Sequence, residues 1–146
     1  MKKRIPFQKF HIQTYTEGEG ESILFLHGWP TNAGLWDAQA EELSKDFTLH
    51  RIDWLGFGQS DKPSDIAYTF SLMKDCLSAV LDNLLEKDEK ISLIAHDIGG
   101  PPSLLWASEH PERVKRLILL NTVLYPLKTP LDALSEIILG LPILKN

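Results

Sequence analysis

Apolar residues recur along this chain in two alternating rhythms. Short apolar, β-branched runs predict strands at residues 10–15, 22–26, 47–52, 91–95 and 114–120. Between them, apolar positions three or four apart predict helices. Trp36, Ala40, Leu43 and Phe47 form one such series, overlapping the start of the next strand at Phe47. Leu72, Met73, Cys76, Leu77, Val80, Leu81, Leu84 and Leu85 form a longer one, a continuous stripe of the kind that faces a core. A further helix begins beyond Gly100 and ends near His110-Pro111. Strands alternating with helices imply an α/β fold, a mostly parallel sheet with helices on both faces.

Composition narrows the partners. At 146 residues, with 43% hydrophobic and 24% charged residues, the chain is long enough for one globular core. A net charge of −5 without a recurring basic cluster argues against nucleic acid. Lys2-Lys3-Arg4 reads as a terminal basic tuft, and Pro6-Phe7-Gln8-Lys9 after it does not resemble the apolar part of a secretory signal. No apolar run has membrane-spanning length, and Cys76 is the single cysteine, so neither a disulfide framework nor a multi-thiolate metal site is expected. The expected location is cytoplasmic. The segment 126–146, punctuated by Pro126, Pro130, Gly140 and Pro142, adds no further strand–helix unit.

The chemistry concentrates where strands end. Ile91-Ser92-Leu93-Ile94-Ala95-His96-Asp97-Ile98-Gly99-Gly100 is an apolar run closed by an acid and two glycines, the strand–turn–helix layout that raises a nucleophile above a parallel sheet. The pattern is Ala95-x-Asp97-x-Gly99, with a carboxylate where many hydrolases carry Ser. A carboxylate needs no base to deprotonate it before attacking an electrophilic carbon. An Asp after a strand is also a common helix N-cap, so Asp97 alone does not decide. Gly99 and Gly100 are expected to permit the strained turn and a close helix–sheet approach. Pro101 and Pro102 suit a first helical turn, where their missing N–H groups go unused. His27 and His96 read as braces for the loop and the elbow, and Trp36, Trp54 and Trp106 as packing residues. Ser60 lacks an elbow's second glycine, and Gly56-Phe57-Gly58 lacks the third glycine of a dinucleotide loop.

Three stretches in register carry a resemblance: Leu26-His27-Gly28-Trp29-Pro30, the run from Asp53-Trp54-Leu55-Gly56-Phe57-Gly58 to Pro63, and Ala95-His96-Asp97-Ile98-Gly99-Gly100. Together with His110-Pro111-Glu112-Arg113-Val114 they resemble the α/β-hydrolase superfamily, and within it the aspartate-nucleophile branch of epoxide hydrolases and haloalkane dehalogenases. The resemblance implies that Asp97 is the nucleophile and that the backbone N–H groups of Trp29 and Ile98 form the oxyanion hole. His27, Gly28, His96 and Gly99 would be supporting motif residues. It implies no metal or organic cofactor, and a small, largely apolar substrate such as an epoxide or halogenated compound. Residues 1–125 would be the N-terminal part of the hydrolase core, and 126–146 the start of a cap or an unfinished tail.

Two departures qualify this. Haloalkane dehalogenases commonly carry Trp directly after the nucleophile, where its ring N–H holds the leaving halide; Ile98 offers only a backbone donor. In the superfamily the order is nucleophile, acid, His, yet no histidine follows His110. The acid–His pair, the cap and the last strands are therefore expected to be lacking. The leading reading is the N-terminal part of an aspartate-nucleophile hydrolase. A non-catalytic remnant or small-molecule binding module, and one half of a split enzyme whose partner is a separate C-terminal half, remain as alternatives.

Overall fold

The computed structural model describes residues 1–122. The tail segment 126–146 lies outside these residues. Six strands form one sheet: β1 (Lys2–Phe7), β2 (Phe10–Glu17), β3 (Glu21–Leu26), β4 (Phe47–Ile52), β5 (Ile91–His96) and β6 (Val114–Leu120). They lie in the order β1-β2-β4-β3-β5-β6. Three helices, α1 (Asp37–Leu43), α2 (Phe70–Leu84) and α3 (Gly100–Glu109), join the parallel strands. Pairing is parallel from β4 through β3 and β5 to β6, and antiparallel at β1–β2 and β2–β4.

The basic tuft is not a loose terminus. Lys2, Lys3 and Arg4 open β1, which pairs with β2 through a two-residue connection with Gln8 at φ 53°. The strand was hidden because its exposed positions are charged and a proline interrupts it; only Ile5 and Phe7 turn inward. The other departures are at ends. The helical series from Trp36 stops at Leu43, and Phe47 belongs to β4 alone, so the apparent overlap resolves into a short turn. Trp36 itself sits in a one-turn 3-10 helix, Ala33–Trp36, whose entry Asn32 caps by accepting the Gly34 N–H at 2.8 Å.

Each parallel strand alternates between two cores because neighbouring side chains point to opposite faces. On β3, Leu24 and Leu26 join the larger core with Met73, Cys76, Leu77, Val80 and Leu81 of α2 and Trp106 of α3. Ile23 and Phe25 face the other way, toward Trp36, Ala40 and Leu49. Thus α2 and α3 cover one face and α1 the other. The predicted stripe of α2 is its buried face, and Thr69 caps its start by accepting the Leu72 N–H. Among the described residues no helix is long and apolar enough to cross a membrane.

The chain leaves β3 toward β4 on one side and returns to β5 on the other. The order therefore reverses between β3 and β5, and the crevice beyond the carboxyl ends of such strands is where open α/β sheets bind ligands. His27, just past β3, ties this region to the segment after β4. Its Nε2 accepts the Trp54 N–H at 3.1 Å, and the Trp54 indole N–H donates to the His27 carbonyl at 3.0 Å. With Nε2 accepting, the ring proton of the neutral form sits on Nδ1, which donates to the Gly28 carbonyl at 2.9 Å.

Burial holds His27 and also His50 below the ordinary imidazole pKa of 6.5. In the unfolded chain both titrate near 6.5, so below that pH the unfolded state binds more protons. Their contribution is complete above 6.5 and declines as pH falls toward the folded values. The melting temperature is expected to fall between about pH 7.5 and about pH 5.5, and His50→Gln to flatten that slope. A melting temperature independent of pH across this window would contradict the buried neutral imidazoles.

Candidate active site

Asp97 stands at the reversal point. β5 lies between β3 and β6, with Ile91, Ser92, Leu93 and Ala95 buried, so its carboxyl end is fixed on both sides. The chain is still extended at His96, turns left-handed at Asp97 (φ 50°) and enters a 3-10 turn, Asp97–Gly99, that runs into α3. Asp tolerates this conformation better than most residues, because its short polar side chain bonds locally. The Thr122 hydroxyl, just past β6, donates to the Asp97 carbonyl at 2.6 Å and holds the turn from the far side.

The strain therefore falls on Asp97 and not on the glycines expected to carry it. Gly99 and Gly100 have ordinary helical φ values of −70° and −67°. What they supply is closeness. A Cβ on Gly99 would lie 2.9 Å from the His27 carbonyl oxygen, and one on Gly100 would lie 2.0 Å from the Thr122 hydroxyl. Gly28 meets the elbow from the other loop: a Cβ there would fall 2.4 Å from the Asp97 Cβ and 2.9 Å from His96 Nδ1. Three glycines on two segments thus let two backbones and a side chain share one space.

In that space the Trp29 N–H donates to Asp97 Oδ1 at 2.8 Å. The helix-cap alternative for Asp97 does not describe this geometry. The residue before α3 is Gly99, no side chain caps that helix, and the Asp97 carboxylate points instead to a loop 68 residues earlier in the chain. The Trp29 side chain is 40% exposed, and the Trp29–Pro30 peptide is cis. Ile98 follows Asp97 directly, its side chain packed against the larger core. His96 is half-buried, and its Nδ1 has no hydrogen-bond partner among the described residues. His27, Gly28, Trp29, His96, Asp97, Ile98 and Gly99 are therefore neighbours, gathered from the ends of β3 and β5. Shallow clefts lined by Glu21, Ser22, Lys90 and Lys115, or by Lys87 and Arg113, open at the opposite end of the parallel strands.

The sequence reading missed a supporting layer. Asp53, 1% exposed, accepts the Ala33 N–H at 2.7 Å on Oδ1, and the Gln59 N–H at 2.8 Å and the Tyr15 hydroxyl at 3.0 Å on Oδ2. Burial and then this carboxylate push the Tyr15 hydroxyl up to about 12. Ser60 donates to the Asp53 carbonyl at 2.5 Å and accepts the Gln13 N–H at 2.8 Å. The glycine-rich loop is thus a clamp on the site's floor. Gly58 must lack a side chain, since a Cβ at its φ of +49° would lie 2.1 Å from the Asp53 carboxyl carbon. An acid between an apolar strand and a glycine-rich loop was the available signal. Thr31 carried none.

A family model described as alpha/beta hydrolase fold matches residues 21–140. The chain is 39% identical over 108 residues to a cis-3-alkyl-4-alkyloxetan-2-one decarboxylase of Shewanella oneidensis, covering 73% of this chain and 34% of that protein. It is 35% identical over 120 residues to a haloalkane dehalogenase of Agrobacterium fabrum, covering 82% and 38%. The crystal structure of a haloalkane dehalogenase from Agrobacterium tumefaciens C58 superposes with a TM-score of 0.78 at 34% identity, over 85% of this chain and 42% of that one. The chain thus spans well under half the length of these relatives, all of them enzymes. With a family match over most of its length and relatives at 35–39% identity, the chain belongs to the alpha/beta hydrolase fold family.

Proposed function

We propose that Asp97 is the nucleophile of a hydrolase that acts on a small, largely apolar carbon electrophile, through a covalent alkyl ester. One observation carries this reading: Trp29 N–H already donates to Asp97 Oδ1, while no described residue bonds Oδ2. In the proposed step Oδ2 attacks the substrate carbon and a C–O bond of an epoxide breaks, its oxygen leaving as an alkoxide that takes a proton from water. With a halogenated compound the C–halogen bond breaks and halide leaves with the electron pair. Oδ1 then becomes the ester carbonyl oxygen. Hydrolysis of the ester places negative charge on that atom, where Trp29 N–H is aimed before the reaction begins. The Ile98 N–H is the second donor in this scheme. With Ile98 in place of a ring N–H donor, an epoxide fits better than a haloalkane.

Ester cleavage also needs a base to activate water. His27 is fully buried and its two ring nitrogens are engaged, so it does not serve. No histidine follows His110 in the 146 residues. In this reading the chain alone completes the alkylation and keeps the ester, and an acid–His pair from a C-terminal half would be required for turnover.

Incubation with a terminal aryl epoxide is expected to add the mass of one epoxide, located by peptide mapping on Asp97, and Asp97→Asn should abolish it. A label on Ser103 or Cys76, or an undiminished label on Asp97→Asn, would sink the aspartate ester. Gly28→Ala tests the loop separately. Its Cβ would press on Asp97, so unfolding in urea should show a loss of about 1–3 kcal/mol, with adduct formation slowed at least tenfold. Normal stability and labelling would show that the close approach is not required.

A further inference from the structure

The donor at Trp29 belongs to a peptide whose opposite edge is held with unusual density. In a trans peptide the C=O and N–H point in opposite directions within one plane. Fixing the Gly28 carbonyl therefore aims the Trp29 N–H. That carbonyl accepts three hydrogen bonds: the Thr31 N–H at 3.0 Å, the Thr31 hydroxyl at 2.7 Å and His27 Nδ1–H at 2.9 Å. On the other edge the Trp29 N–H meets Asp97 Oδ1 at 2.8 Å. His27 is itself immobilised by Trp54, so its bond is set by the core. The Thr31 hydroxyl is the remaining side-chain contact, and it comes from an exposed loop.

We infer that Thr31 is a positioning residue: its hydroxyl locks the plane of the Gly28–Trp29 peptide so that the Trp29 N–H stays on Asp97 Oδ1. This rests on the reading of Asp97 as nucleophile for its catalytic meaning, but its geometry does not. The Thr31 backbone N–H alone closes the turn over residues 28–31. Without the hydroxyl, the Gly28 carbonyl keeps the Thr31 N–H and the His27 Nδ1–H. The hydroxyl adds a third contact, the shortest of the three at 2.7 Å, which restrains rotation about the flanking torsions further. An oxyanion donor gives most when it needs no reorganisation as charge develops, so the hydroxyl would act on the ester-cleaving step through Trp29 and touch no substrate. A hydroxyl that merely closes a local turn, as Ser and Thr often do, would have no influence across the peptide.

The two roles separate in the amide signals of the full chain labelled with 15N-tryptophan. Four tryptophans give four backbone signals, and Trp29→Phe, which keeps the N–H, assigns the one of interest by its loss. Asp97→Ala, which removes the acceptor, marks the position and exchange rate of a free Trp29 N–H. Thr31→Val should move the Trp29 amide most of the way to that position and speed its hydrogen exchange about tenfold, the scale of losing one hydrogen bond. Thr31→Ser should restore it, and Trp36, Trp54 and Trp106 should not move in either variant. Thr31→Ala provides the same reading if valine packs badly. The inference is overturned if the Trp29 signal is unchanged in Thr31→Val, if Thr31→Ser fails to restore it, or if all four signals shift together or the variants do not fold. The readout follows the peptide and not the ester. An Asp97 that cannot be alkylated would overturn the proposed chemistry alone, and an unmoved Trp29 with normal alkylation would overturn the role of Thr31 alone.

Discussion

The parallel ladder between β3 and β5 is the constraint on which the site depends. It runs from Ile23 against Ser92 to Leu26 against Ala95, and it delivers the ends of both strands to the same height. Both strands are buried on two faces, so a slip of one residue would turn Leu24, Leu26, Leu93 and Ala95 out of the larger core. The register that satisfies the core also sets the loop after His27 beside the turn at Asp97. A hydrogen bond between groups 68 residues apart is thereby made local.

Around this ladder two buried polar residues, His27 and Asp53, have their hydrogen-bonding capacity met, as burial requires. His27 can be both donor and acceptor only while neutral, and burial keeps it so by lowering its pKa. Asp53 accepts from two backbone N–H groups and a phenol, a set of donors that leaves no place for an amide's NH2. These two residues anchor the ends of β3 and β4 from beneath. The Asp97 turn is braced from above, by Thr122 after β6. A left-handed aspartate would otherwise relax, and its position persists because neighbouring segments over-determine it.

The relatives show how little the frame says about reaction. A decarboxylase and a dehalogenase are 39% and 35% identical to this chain over the matched stretches. A fold of this kind hosts many chemistries, so a reaction has to be read from atoms at the site. Here the relevant atoms are a carboxylate with one oxygen already hydrogen-bonded to a backbone donor, and an aliphatic Ile98 beside it.

Some of this was legible in one dimension. Periodicity in residues 72–85 marked the buried face of α2, and strands alternating with helices marked a parallel sheet, because both patterns depend only on neighbouring positions. The turn at Asp97 was legible for the same reason, since an apolar run, an acid and two glycines describe a local path of the backbone. The sequence misled where charge masked a strand, as at Lys2, Lys3 and Arg4. It misled again where glycine suggested a special torsion, although Asp97 carries the positive φ and the glycines carry close approach. The direction of the Trp29 N–H, the hydroxyl of Thr31, and the three donors on Asp53 had no signature at all. Each depends on where segments distant in the chain come to rest, and a threonine in a loop reads the same whether or not a carbonyl lies 2.7 Å from its oxygen. The order of apolar and small residues therefore determined which elements form and where the carboxylate sits along them. Only tertiary packing decided which backbone donor faces it, because a peptide plane is oriented by the contacts on both its edges.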